Sequence, residues 1–177
     1  MSDVLTQADA ATLIRGGALQ SNDWRLHAAE EGGALPADEP GWIVSLPDWL
    51  AHRDALRARA HPVGVLLAPD ADPAVLADAD GRIDPQGLAF LAVDFPVYTD
   101  GRGYSIAQIL RGELGWRGEL RATGDVMIDT IYYQARCGFD SFAVKPGHDP
   151  QKALDALATF SVVYQDAYPK PQARPVA

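Results

Sequence analysis

The chain has 177 residues, the length of one domain, and a compact fold of that size buries roughly 70% of the surface its unfolded chain exposes. Its 15 Lys and Arg against 24 Asp and Glu give a formal charge of -9. That balance excludes a general polyanion-binding surface and points away from nucleic acid, because phosphate contacts need clustered cations. The single cysteine, Cys137, excludes an intrachain disulfide, a dithiol redox couple, a Cys-rich zinc site and a four-Cys cluster.

Residues 1–19 combine neither a basic stretch nor a long apolar stretch of the kind a signal peptide needs. The apolar runs at 63–68 and 88–93 are too short to span a bilayer. Composition and runs together predict a soluble cytoplasmic protein with no membrane partner.

In chain order, residues 11–15 and 18–27 flank Gly16-Gly17, a pair suited to a tight turn, and predict a short amino-terminal β-hairpin arm. Residues 30–41, rich in Gly, Pro and acids, read as a linker, so 1–41 form arm and linker. Strand–helix alternation then runs over 42–167. Strands are predicted at 42–45, 62–68, 88–95, 118–122 and 139–145. Helices are predicted at 47–60, 72–78, 105–114, 125–137 and 150–167. The last helix places Leu154, Leu157, Phe160, Val163 and Tyr164 on one face. Residues 168–177, with three prolines, read as a flexible tail. The pattern is that of an α/β protein of repeated β-α units, with a mainly parallel sheet of about five strands, open or curved like part of a barrel.

In such sheets ligands bind beyond the carboxyl ends of the strands. Asp94 ends the most apolar strand and there needs a partner or takes a raised pKa, which makes it the candidate general acid or base. The segment Asp100-Gly-Arg-Gly-Tyr-Ser105 follows. In one reading Arg102 and the helix start at Ser105 clamp a small anion. In the other Arg102 pairs with Asp94 or Asp100 and locks the loop. Tyr98 and Tyr104 flank the glycines as candidate ligand contacts. Arg121 ends the neighbouring strand and either completes the anion site or pairs with Asp125 or Asp129. Asp125 occupies a helix-capping position. The four histidines share no metal-ligand spacing, so no metal site is expected.

The runs VDFPVYTDGRGYSIAQILR (93–111), GWRGELRATGDV (115–126), RCGFDSF (136–142) and FSVVYQ (160–165) resemble a bacterial family numbered 934 among the domains of unknown function. The resemblance covers about residues 63–165. It implies a gene setting beside assimilatory sulfite reductase and a role as oxidoreductase or accessory protein of sulfite reduction. Carried over residue by residue, it points to Asp94, Asp100, Arg102, Tyr104, Ser105, Arg121, Gly124 and Asp125. Thr130 departs from it, standing where relatives would carry glutamine.

The leading expectation is an accessory protein of assimilatory sulfate and sulfite reduction, binding an anion or a partner protein through its strand ends. Its partner would be sulfite reductase or another sulfur-assimilation protein, and a homo-oligomer is compatible with the sequence. The alternatives are an enzyme acting on a small anionic substrate, with arginine clamps and Asp94 as acid or base, and a flavin-dependent oxidoreductase. No cofactor motif is evident, and any electron carrier built on this chain would need an exogenous flavin.

Overall fold

The computed structural model describes residues 12–28, 33–160 and 162. Gly16 and Gly17 take φ of 61° and 77°, the left-handed pair that turns a two-residue hairpin. They join β1 (Thr12–Arg15) to β2 (Ala18–Ser21) with Arg15 opposite Ala18. After residues 22–24 comes β3 (Arg25–Leu26), and then β4 (Trp42–Ser45). Ser45 keeps extended angles and its hydroxyl accepts the Asp48 N–H at 3.2 Å, starting α1 (Leu46–Ala51) with Pro47 in the first turn. At His52 the backbone leaves helical geometry (φ -124°), so the single helix expected over 47–60 is two: α1 and α2 (Arg53–Arg57).

β5 (Val63–Leu67) follows, then a 3-10 turn (Pro73–Leu76) begun by the Asp72 carboxylate, shorter than the helix expected there. β6 (Leu88–Phe95) matches its predicted bounds. α3 (Arg102–Gln108) runs into a π turn (Ile109–Glu113). β7 (Glu119–Gly124), α4 (Ile128–Arg136), β8 (Ser141–Ala143) and α5 (Pro150–Ala156) complete the order. The last helix, expected over 150–167, ends at Ala156, and 157–160 are turn, bend and coil; residues 161 and 163–167, including Val163 and Tyr164, and the tail at 168–177 lie outside the described residues.

The α/β class holds, but the sheet is mixed and has eight strands, in the order β2-β1-β8-β7-β6-β5-β4-β3. β3 to β8 are parallel neighbours, whereas β1 pairs antiparallel with both β2 and β8. Two features correct the expected mainly parallel sheet of about five strands. The hairpin is not an arm but an extension of the sheet, because Leu13, Ile14 and Arg15 meet Ala143, Phe142 and Ser141. β3, at two residues, is too short to leave a periodic signal.

The sheet is open and curled. A sequential parallel order with right-handed crossovers puts the helices on one face. Val44, Val65, Leu91, Val93, Leu120, Ala122 and Phe142 point there, against Trp49, Leu56, Ile106, Leu110 and Ile131. At the amino ends of the strands, Arg111 is 8% exposed and donates to the carbonyls of Gly138, Trp116 and Gly118, tying the loop before β7 to the loop before β8.

The alternate residues of the same strands face the concave side. There Phe90 and Ala92 are buried with Ile43, and Trp24, Leu26 and Leu66 pack on them. Beside this apolar patch lies a charged one. Glu119 Oε1 accepts from Arg121 Nε (3.0 Å), Arg121 Nη2 (2.7 Å) and the Ser141 hydroxyl (2.6 Å), while Arg15 Nε approaches Oε2 at 3.0 Å. The Arg121 guanidinium lies 3.7 Å from the Phe90 ring centre, and Trp24 meets Phe90 edge-on at 4.7 Å. Glu119 thus supplies the counter-charge of the buried Arg121, while Arg15, 54% exposed, shares the same carboxylate. Glu119→Gln, which leaves Arg121 without a counter-charge, is expected to cost about 3 kcal/mol in urea unfolding. A loss under 1 kcal/mol would mean that water solvates this layer.

Candidate functional site

The carboxyl ends of β5 to β8 and their loops form one rim. Asp94 shares the concave side with Phe90 and Ala92, at the last turn of β6 before Phe95. Its carboxylate is half-buried and accepts the Phe95 N–H, yet no cation pairs with it among the described residues. Burial raises its pKa, and the charge of Asp100 raises it further. Gly124 makes this packing feasible. It sits at φ 85°, and a Cβ there would stand 2.4 Å from the Phe95 carbonyl oxygen and 2.6 Å from Asp94 Oδ1.

Arg102 goes to Asp100 and not to Asp94. Its Nε and Nη2 fork onto the carboxylate at 3.0 and 2.6 Å, and Asp100 Oδ1 also takes the Arg102 N–H. This staple holds the Asp100 pKa down, the Arg102 side chain being the leading cause. The pair is unequal in exposure, with Arg102 57% exposed and Asp100 11%. Asp70, after β5, adds its charge to the field at Arg102.

Asp125 is not the expected helix cap, since α4 starts three residues later behind Met127. It is a cross-brace instead. Oδ2 accepts the Tyr98 N–H at 2.9 Å and Oδ1 takes Lys145 Nζ at 2.6 Å. Burial works against its ionisation, but Lys145, the Tyr98 N–H and the nearby His148 outweigh that and hold the pKa down. Asp125 therefore fastens the loop after β6 to the loop after β8.

Four sequence-predicted residues, Asp94, Asp100, Arg102 and Asp125, meet at this rim. The others do not join them. Ser105 is exposed within α3 and does not start it; Gly101 precedes the first helical residue and Asp100 does the capping. Tyr104 turns toward α4, with ring centres 5.3 Å from Phe95 and 5.0 Å from Tyr133, and burial raises its pKa. Arg121 is 1% exposed, held in the concave network by Glu119 and not by Asp125 or Asp129. Its Nη1 reaches only toward Asn22 Oδ1, at 3.5 Å. Burial lowers its pKa while Glu119 acts to raise it. Arg102 and Arg121 thus serve different carboxylates, and the two-arginine anion clamp is not assembled.

Thr130 uses its hydroxyl at the start of α4, bonding both the N–H and the carbonyl of Met127. Sequence reading gave Lys145 no role of its own and assigned none to His148; the signal available was their position straight after a strand. Cys137 is buried, and burial raises its thiol pKa. Among the described residues no group of three or more His, Cys, Asp or Glu is placed to hold a metal ion, and no helix is long and apolar enough to cross a membrane. A shallow groove along residues 50–55 is lined only by the α1–α2 junction, which contributes nothing to the rim.

This is a curled α/β sheet with a charged strand-end rim. Residues 64–174 match the model of a family described as bacterial protein of unknown function (DUF934), and the chain belongs to that family. The match opens inside β5 and takes in all the rim residues, while β1 to β4 and the first two helices precede it. Neither a curated protein nor a solved structure matches the chain.

A raised pKa means that the folded chain binds the Asp94 proton more tightly than the unfolded chain does. Stability from this group is fully present below the unfolded value and is lost as pH rises through the folded one. Asp94→Asn is therefore expected to raise the melting temperature at neutral pH, with the gain shrinking toward pH 3. Asp100→Asn should do the opposite, because its lowered pKa gives stability that is lost only as pH falls through the folded value. Equal melting curves for wild type and Asp94→Asn at neutral pH would contradict the uncompensated charge.

Proposed function

We propose that this chain is an accessory protein of assimilatory sulfate and sulfite reduction that docks a basic surface of a partner protein onto its strand-end rim. The observation that carries the docking is Asp94, a half-buried carboxylate that no cation pairs with among the described residues. Around it stand Asp70, Asp100 and Asp125 against two fixed cations, Arg102 and Lys145, both of which already bond a carboxylate. Such a rim repels a small free anion and accepts a guanidinium or ammonium group. Binding one would relieve the electrostatic cost at Asp94, and charge complementarity would speed encounter with a basic partner. The exposed Val97 and Tyr98, on the loop that Asp125 holds, offer an apolar contact beside the charges. The sulfur-assimilation setting comes from the motif runs around Asp94, Arg102 and Asp125, and the partner it suggests is the sulfite reductase haemoprotein.

Purified chain and haemoprotein should associate at about 50 mM salt and separate near 500 mM, as screening removes the attraction. Asp94→Asn should weaken that association about tenfold, the loss of roughly 1.4 kcal/mol of ion pairing. No association at either salt, with normal growth on sulfate of a strain lacking the chain, would overturn the proposal.

A second reading rests on the same residue. A carboxyl group whose pKa is raised by burial is suited to proton transfer, so Asp94 would be the acid or base of an enzyme acting on a small substrate. It separates from docking by outcome. Asp94→Asn would then abolish turnover with the fold and the partner affinity intact.

A further inference from the structure

We propose that the free edge of β2 joins two copies of this chain through an antiparallel β2–β2 pairing about a two-fold axis at Gln20. β2 is the terminal strand of the sheet, and all four of its residues are exposed. The hairpin fixes which of its backbone groups are free. A two-residue turn at Gly16-Gly17 makes Arg15 and Ala18 a hydrogen-bonded pair, and alternation makes Leu13 and Gln20 the next one. The N–H and C=O of Leu19 and Ser21 therefore point away from β1, and among the described residues no strand pairs with them.

The two edges of the sheet are treated differently. β3 is two residues long and carries Arg25, whose guanidinium covers the Trp42 ring at 4.2 Å. Shortness and charge are the usual protection of an edge. β2 has four residues, Ala-Leu-Gln-Ser, with no charge, no proline and no bulge.

The occupant is a second copy because this edge is self-complementary. Centring the pairing on Gln20 sets Leu19 of each copy opposite Ser21 of the other, so both outward pairs exchange N–H and C=O bonds. The two Gln20 side chains come side by side across the axis, each Nε2 donating to its own Arg15 carbonyl at 3.3 Å, and no like charges face each other although each chain carries -9. A four-residue edge buries well under the area of a standard interface, so the Kd is weak and the dimer concentration-dependent.

The test is sedimentation equilibrium of the full chain from about 5 to 500 µM, a range wide enough to reveal a weak Kd. Wild type should shift from monomer to dimer. Gln20→Lys, an exposed change that sets two ammonium groups together on the axis, should stay monomeric, and Gln20→Glu should do the same. An equimolar mixture of these two variants should dimerise again at least as tightly as wild type. A wild type that is monomeric throughout, a dimer untouched by Gln20→Lys, or a mixture that fails to pair would each overturn the proposal.

Discussion

Two ends of one sheet are joined by three residues. Ser21 closes β2 and Arg25 opens β3, and these strands are the two edges of the eight-stranded order. A link of that length reaches about 14 Å at full extension. The edges of a flat eight-stranded sheet would stand roughly 34 Å apart, at about 4.8 Å per strand. The sheet has no choice but to curl. The link crosses its concave side, where Trp24 meets Phe90 and Asn22 approaches Arg121. Curling buries a face that an open sheet without helices on it would leave wet, and it turns the carboxyl ends of β5 to β8 toward one rim.

That geometry sorts the charges into two kinds. Below the rim, Glu119 holds Arg121 beneath the Phe90 and Trp24 rings and is met by the more exposed Arg15. A buried network of this sort specifies how the strands register more than it adds to net stability. On the rim, Asp100 with Arg102 and Asp125 with Lys145 are local fasteners that hold loops. Solvent screening keeps the contribution of such pairs to stability small. Asp94 belongs to neither set. It is half-buried, and among the described residues no cation pairs with it, so its charge is left unsettled.

The sequence showed the α/β alternation because β5 and β6 are runs of apolar residues with turn signals around them. β6 is continuous from Leu88 to Phe95 and buried through most of its length. What it hid was set by contacts distant in the chain. The hairpin looked like an arm because nothing local says that Ile14 will lie opposite Phe142. Arg121 looked like a strand-end residue because a predicted end at 122 placed it there, whereas the strand continues to Gly124 and alternation turns it inward. Asp125 had the spacing of a cap but found Lys145, twenty residues on. Asp94 was legible as a candidate since a carboxylate at the end of an apolar strand is conspicuous; its lack of a cation was not, because Arg102 had two acids within reach.

The protonation state of that carboxylate decides whether the rim is built to receive a cation. The direct measurement is a carboxyl carbon-13 NMR titration of the aspartates in the full chain, repeated with the basic partner bound. Asp94 should titrate above the ordinary aspartate range in the free chain, with Asp100 and Asp125 below it. On binding, the Asp94 value should fall as a cation takes its place beside it. An Asp94 that titrates with Asp100 and Asp125, or that is unmoved by the partner, would contradict the claim that the rim is built around an uncompensated charge.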